Sequence, residues 1–263
     1  MYQRQDIAES WAGQDPLQTA FALEGEVYRD MPGRRTLKVA VGGSDYFVKL
    51  HYGVGWTEVI KNWLQFKKPV VGAENEFMAC SQLAELGIVA PVPAAYGASA
   101  GNLAQRQSFV LCDALVGFTT LEDLTATWRE SPPSPQLRIK LLYAVADFAK
   151  NFHHHGFIHR DFYICHLLVN DQALQRGEVQ LAVLDLHRAR RFKAMPDRWL
   201  KRDLSALLFS TMVIPLNQRE WLRFLRRYSG QPLKTELGER GSFWGQVVAR
   251  AHKLYAKDQS KNP

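Results

Sequence analysis

The sequence is poor in cysteine. Cys80, Cys112 and Cys165 are odd in number and far apart, which excludes a disulfide framework and points to reduced thiols in a cytosolic protein. It lacks an apolar core near its start, where MYQRQDIAESWAGQDP is polar, so no secretory leader is expected. It also lacks a membrane-length apolar run. LSALLFSTMVIPL is interrupted by Ser, Thr and Pro and is too short for a hydrocarbon layer of ~30 Å. Internal repeats and low-complexity segments are missing too. What is left is a soluble or peripheral globular chain of 263 residues, 46% of them apolar, long enough for one large domain or two lobes with a proper core.

Negative charge is in the minority, 26 Asp and Glu against 33 Lys and Arg for a net charge of +7. The excess gathers between His187 and Arg202, in Arg188, Arg190, Arg191, Lys193, Arg198, Lys201 and Arg202. An acidic substrate or an anionic membrane surface fits such a cluster. No nucleic-acid module is recognisable, so nucleic acid is not an expected partner. The Arg219–Arg227 run reads as a solvated helix face.

Residues 25–50 alternate like strands: GEVYR, the turn MPGR, TLKVAV, the turn GGSD, then YFVKL. Period two puts Lys49 on one face with Phe47, and Tyr46, Val48 and Leu50 on the other. AENEFMACSQLAEL follows as a helix closed by Gly87. A Pro-rich linker, APVPAAYG, leads to the strand SFVLCD and then a loop into TLEDLTATW. After Pro132 and Pro133, Ser134 caps a helix with Pro135 at its first position. Its apolar residues Leu137, Leu141, Ala144, Val145, Phe148 and Phe152 recur at helical spacing until Gly156. Strands LLVN and LAVLD come next, and the remainder is helical. The expected fold is therefore α+β with two lobes: a strand-rich N-lobe over 1–113 carrying one helix, and a helical C-lobe over 114–263.

Phosphoryl transfer from ATP asks a protein for a cation on the phosphates, a carboxylate for Mg²⁺ and an orienter of the acceptor hydroxyl. The chain supplies these in the order of a protein kinase. Lys49 stands on the third strand; alone, it would read as a strand lysine whose amine snorkels to water. Glu74 or Glu76 on the next helix could pair with it. Glu76 shares a face with Ala79, Cys80 and Leu83, so the periodicity leans toward Glu76. His159-Arg160-Asp161 sits between a helix and a short strand, with Asp161 as the base or orienter. Asp185 ends an apolar strand where the metal-binding Asp belongs. Asp203 in KRDLSALLFS is either a brace for the catalytic loop or a plain helix-start Asp.

Four departures matter. His166 replaces the Asn five residues past Asp161, and imidazole is a poor Mg²⁺ ligand, so a phosphate or substrate contact is open to it. Leu186-His187 replaces Phe-Gly after Asp185. The first hairpin has no G-x-G-x-x-G, and no Ala-Pro-Glu follows Asp185, which counts against a protein substrate. His153, His154 and His155 diverge at a helix end and read as partners of last-turn carbonyls rather than metal ligands. A zinc site on Cys165 and His166 lacks a second spaced pair. A protein kinase and a non-catalytic kinase-like binding module are the competing readings.

With these residues in place, the chain resembles the lipopolysaccharide core heptose kinase family, in its heptose I kinase branch, from about Gly25 to Tyr255. YFVKLHYGVGWTEVIKN, the helix around Glu76, FIHRDFYICHLLVN, LAVLDLHRAR and RDLSALLFS carry the likeness, the HRD-x4-His and Asp-Leu-His forms included. The resemblance implies a protein-kinase-like fold and ATP- and Mg²⁺-dependent phosphorylation of an inner-core heptose. It places the reaction at the cytoplasmic face of the inner membrane of a Gram-negative bacterium, with peripheral attachment to the anionic surface. It assigns Lys49 and Glu76 to ATP anchoring, Asp161 to catalysis as the base and Asp185 to the metal; beside these, His166 is counted with the cofactor-binding residues on its own position.

Overall fold

A computed structural model describes residues 1–53, 72–101 and 105–260. The part of YFVKLHYGVGWTEVIKN beyond Gly53 lies outside the described residues. The chain forms two compact units: Met1–Val116 with Asp185–Arg188, and Gly117–Leu184 with Ala189–Pro263.

The first unit is built on an antiparallel sheet of β1 (Tyr2–Gln3), β2 (Glu26–Met31), β3 (Arg34–Val41), β4 (Ser44–His51), β5 (Pro93–Ala98) and β6 (Ser108–Asp113), in the order β1-β5-β6-β4-β3-β2. Gly42 and Gly43, both at positive φ, close the β3–β4 hairpin, since a two-residue turn matched to strand twist needs left-handed backbone at both positions. Alternation then sorts the side chains. Leu37, Val39 and Val41 from β3 and Tyr46, Val48 and Leu50 from β4 pack with Ile7 and Trp11. These last two belong to the segment of α1 (Gln5–Ser10), and α2 (Pro16–Ala22) adds Ala20 to the same cluster.

The opposite face carries Lys49 and takes α3 (Glu74–Glu85). Its Phe77 packs with Tyr96, Val110 and Cys112, and the Phe77 and Tyr96 rings stack at 4.7 Å. The helix ends where Gly87 turns left-handed, its N–H bonding Ala84 O while Ile88 N bonds Leu83 O. That pair of bonds satisfies the last-turn carbonyls. The Pro-rich segment expected as a linker is the strand β5. Its prolines and small residues have low strand propensity, but β6 and β1 supply partners on both sides, and tertiary pairing overrides propensity.

The second unit is mainly helical. Its helices are α4 (Leu121–Thr125), α5 (Pro135–His154), α6 (Asp171–Gln175), α7 (Asp197–Thr211), α8 (Gln218–Ser229) and α9 (Leu233–Gln259). Ser134 caps α5 through Leu137 N, with Pro135 at the first position. Asn217 and Glu220 form a capping box on α8, each satisfying an otherwise orphaned helix-start N–H. The short strands β7 (Phe118–Thr120), β9 (Leu167–Asn170) and β10 (Leu181–Val183) form one small sheet, while β8 (Phe157–Ile158) pairs β11 (Arg190–Arg191). Together they fix the two loops that carry His159–His166 and Leu184–Asp185. Among the described residues no helix is long and apolar enough to cross a membrane.

Candidate active site

Lys49 lies mid-strand on β4, its neighbours Thr36 and Val110 paired on either side. Its ammonium is 2.6 Å from Glu76 Oε1 and 3.0 Å from Asp185 Oδ1. Of the two helix glutamates, Glu76 makes this pair, on the face of α3 that also buries Ala79, Cys80 and Leu83. Glu74 is exposed and lies 3.9 Å from Arg106. Burial alone would depress the Lys49 ammonium, but the Glu76 and Asp185 charges outweigh it and the pKa rises.

Asp185 has positive φ, uncommon for a non-glycine residue. Its Oδ1 also receives His187 Nδ1 at 2.7 Å. Burial would raise this carboxyl, but the hydrogen bond from His187 and the Lys49 charge hold it well below the usual carboxylate range. The turn after it is anchored: Asn75 Nδ2 of α3 donates to His187 O at 2.8 Å, and Leu186, in the place of the kinase Phe, is fully buried.

In the second unit, Asp203 on α7 is completely buried and accepts from His159 N at 2.6 Å and Arg160 N at 2.8 Å. A buried carboxylate satisfied by two backbone amides is a strong, charge-assisted brace. It holds Arg160 at φ 74°, a conformation that a free Arg avoids. Arg202, next to Asp203 in the chain, donates from Nε to Arg160 O at 2.9 Å and places Nη2 3.7 Å from Asp161 Oδ1. His159 Nε2 donates to Leu184 O at 2.7 Å. His166 Nδ1 donates to Asp161 O at 2.8 Å, and its ring stacks on His159 at 5.4 Å. His166 O in turn accepts from Leu184 N, so the two loops are tied by backbone as well as by side chains.

The described structure thus brings Lys49, Glu76 and Asp185 into one ion cluster in the first unit. It gathers Asp161, His166 and Asp203 into one braced loop in the second. The three consecutive histidines diverge, as adjacent helical positions must. His155 bonds Asn151 O and His154 is exposed, but His153 is buried against the Tyr228 hydroxyl at 2.9 Å. Among the described residues, His155 partners a last-turn carbonyl as expected, while His153 turns to Tyr228 instead.

A sequence model described as the lipopolysaccharide kinase (Kdo/WaaP) family matches residues 18–228. The chain belongs to that family. The lipopolysaccharide core heptose(I) kinase WaaP of Pseudomonas aeruginosa PAO1 is 42% identical over 250 residues, 95% of this chain and 93% of that protein. The enzyme of the same name from Escherichia coli K12 is 34% identical over 259 residues, 98% of each chain. A solved structure of WaaP in complex with acyl carrier protein matches with a TM-score of 0.83 at 36% identity, covering 97% of this chain and 98% of that one. The fold is accordingly the kinase-like α+β fold, and membership of the Kdo/WaaP family makes the chain a kinase.

Two side chains gain roles at these residues that their local sequence does not announce. Arg202 was legible only as a basic residue beside Asp203, because nothing local signals that its guanidinium returns to Arg160 and Asp161. His187 had a closer signal, since it lies two residues beyond Asp185 in a tight turn.

Proposed function

We propose that the chain transfers the terminal phosphoryl group of ATP to a hydroxyl of heptose I in the inner core of lipopolysaccharide, during core assembly. The Lys49 ammonium held between two carboxylates carries the phosphotransfer. The acceptor is taken from relatives named as heptose(I) kinases.

In this reading Lys49 meets the nucleotide phosphates, and Glu76 keeps it aimed. Mg²⁺ characteristically uses one or two protein carboxylates and completes its shell with phosphate oxygens and water. A deprotonated Asp185 fits that need. The ion would neutralise charge developing on the transferred phosphoryl group. Asp161, backbone-fixed by the Asp203 brace, orients the acceptor hydroxyl and takes its proton. His166 belongs to the nucleotide side. Its Nδ1 is committed to Asp161 O, which leaves Nε2 as the ring atom available to a ligand.

The relative's complex supports acyl carrier protein as a partner of this chain. Attachment is peripheral, at the cytoplasmic face of the inner membrane, through basic surface rather than a spanning helix.

The deciding experiment is transfer from labelled ATP with Mg²⁺ to core lipopolysaccharide stripped of its core phosphates, beside a generic protein acceptor. Label is expected on the glycolipid alone, with Asp161→Asn slower by about a hundredfold or more. Undiminished transfer by Asp161→Asn, or label on the protein acceptor alone, overturns the reading.

A further inference from the structure

Around Asp161 the second unit concentrates cations where elementary electrostatics disfavours them. The first two turns of α7 hold Arg198, Lys201 and Arg202, at the helix end whose macrodipole is already positive. The acidic residue of that first turn, Asp197, is engaged by Arg240 at 2.8 Å. One ring organises the arginines. The Trp199 indole has the guanidinium carbons of Arg160, Arg198 and Arg202 at 5.4, 5.5 and 5.9 Å from its centre. Planar guanidinium groups stack on aromatic faces while keeping their N–H edges for other partners.

The three arginines are held to different degrees. Arg160 is fixed by its strained backbone and the Asp203 brace. Arg202 is fixed by its bond to Arg160 O and lies 3.7 Å from Asp161. Arg198 is exposed and forms no ion pair among the described residues. Crowding three like charges at a positive helix end is unfavourable in isolation, and an incoming anion relieves it. Guanidinium forks match carboxylate and phosphate oxygens in pairs, so the cluster has the chemistry of an oxyanion receptor next to the residue that handles the acceptor hydroxyl.

We propose that Arg160, Arg198 and Arg202, arrayed on Trp199 beside Asp161, form an acceptor subsite for an acidic group, a sugar carboxylate or a phosphate ester, adjoining the hydroxyl that is phosphorylated. This rests on the reading of Asp161 given above and deepens it. The enzyme selects an acidic saccharide, and Arg202 both reads that group and fixes the loop of the catalytic carboxylate. The nucleotide has its own cation in Lys49, so the arginine cluster is assigned to the acceptor.

The test measures binding apart from turnover. Deacylated core oligosaccharide is titrated calorimetrically into the full-length wild type, Arg198→Gln and Arg202→Lys. Carboxyl-reduced and dephosphorylated oligosaccharides are titrated in parallel. Arg198→Gln changes an exposed residue and leaves the fold intact by circular dichroism, so its result does not depend on Arg202.

Each substitution is expected to weaken binding of the intact oligosaccharide about ten- to a hundredfold, the usual loss for a charge-assisted contact. One of the two chemical modifications weakens wild-type binding by a similar factor and identifies the anion as carboxylate or phosphate ester. The losses from modification and from substitution do not add, because they remove the same contact. Equal binding by all three proteins, additive losses, indifference to both modifications, or no binding by the wild type overturns the subsite. Binding that obeys the expected pattern without any phosphate transfer refutes the heptose kinase reading while leaving the anion subsite standing.

Discussion

Lowering the pH should destabilise the protein through His51, by an amount the structure allows one to work out. Period two puts His51 on the Lys49 face of β4. The residue is 4% exposed, and among the described residues its Nε2 has no hydrogen-bond partner. Burial, then the positive charges of Arg34 and Lys49 and the nearby His187, depress its pKa from 6.5 to about 3. Above pH 6.5 the folded and unfolded chains both carry neutral His51, so its titration contributes nothing. Between 6.5 and 3 the unfolded chain binds a proton that the folded chain refuses, so stability falls as the pH falls. The slope is about 1.4 kcal/mol per pH unit, which makes the loss at pH 5 about 2 kcal/mol. The depressed carboxyls, such as Asp185, lose their stabilisation only as pH drops through and below ordinary carboxylate values. They also cancel when two proteins are compared. The assay is urea unfolding at pH 7.5 and 5.0 of the wild type and of His51→Gln, which keeps an amide of similar reach and cannot titrate. The variant's stability should fall by about 2 kcal/mol less than the wild type's between the two pH values, whatever its absolute stability. An equal pH dependence in the two proteins would falsify this account of a buried, neutral imidazole.

Two further substitutions test the scaffold of the site. Lys49→Met leaves Glu76, with a side chain 5% exposed, and Asp185 without their shared cation. It should destabilise the first unit by about 3–5 kcal/mol and abolish measurable transfer; adding Glu76→Gln should recover part of the stability but none of the activity, and a double mutant no more stable than Lys49→Met would show that the Glu76 charge is not the cost. Asp203→Asn keeps the side-chain shape but offers one acceptor oxygen in place of two, so it can accept from only one of His159 N and Arg160 N and sets an amide N–H against the other. The expected result is a loss of about 2–4 kcal/mol with kcat reduced and the KM for ATP little changed, and a rise in the KM for ATP with kcat unchanged would mean that the brace serves nucleotide binding instead.

What could be read from the sequence was whatever repeats with a local period. The alternation through β3 and β4 sorts Tyr46, Val48 and Leu50 from Lys49 because successive strand residues must face opposite ways. Helical spacing in α3 puts Glu76, rather than Glu74, on the packed side, where a lysine from the sheet meets it. The Ser134–Pro135 start of α5 and the glycine after α3 are equally local, being fixed by hydrogen-bond and φ requirements at single positions. The Asp15–Pro16 start of α2 carries the same kind of signal: Asp15 accepts from Gln18 N. The sequence reading passed over it because so short a helix has almost no periodicity to support it.

Illegible features were those created by contacts distant in sequence. β5 exists because β1 and β6 flank it, and its own residues argue for a linker. His153 is buried because Tyr228, 75 positions away, reaches its ring. Asp203 offered two readings, loop brace or helix-start residue, that no local pattern separates. Its bonds to the amides of residues more than 40 positions earlier decide for the brace. The departures at His166 and Leu186 are each accommodated by packing within their own loops. His166 spends Nδ1 on the Asp161 carbonyl and stacks on His159, while Leu186 fills its site completely. At His166 the exchange puts a ring nitrogen where an amide oxygen would stand and so changes the chemistry presented to a ligand, whereas Leu186, fully buried, changes only what packs beneath the turn.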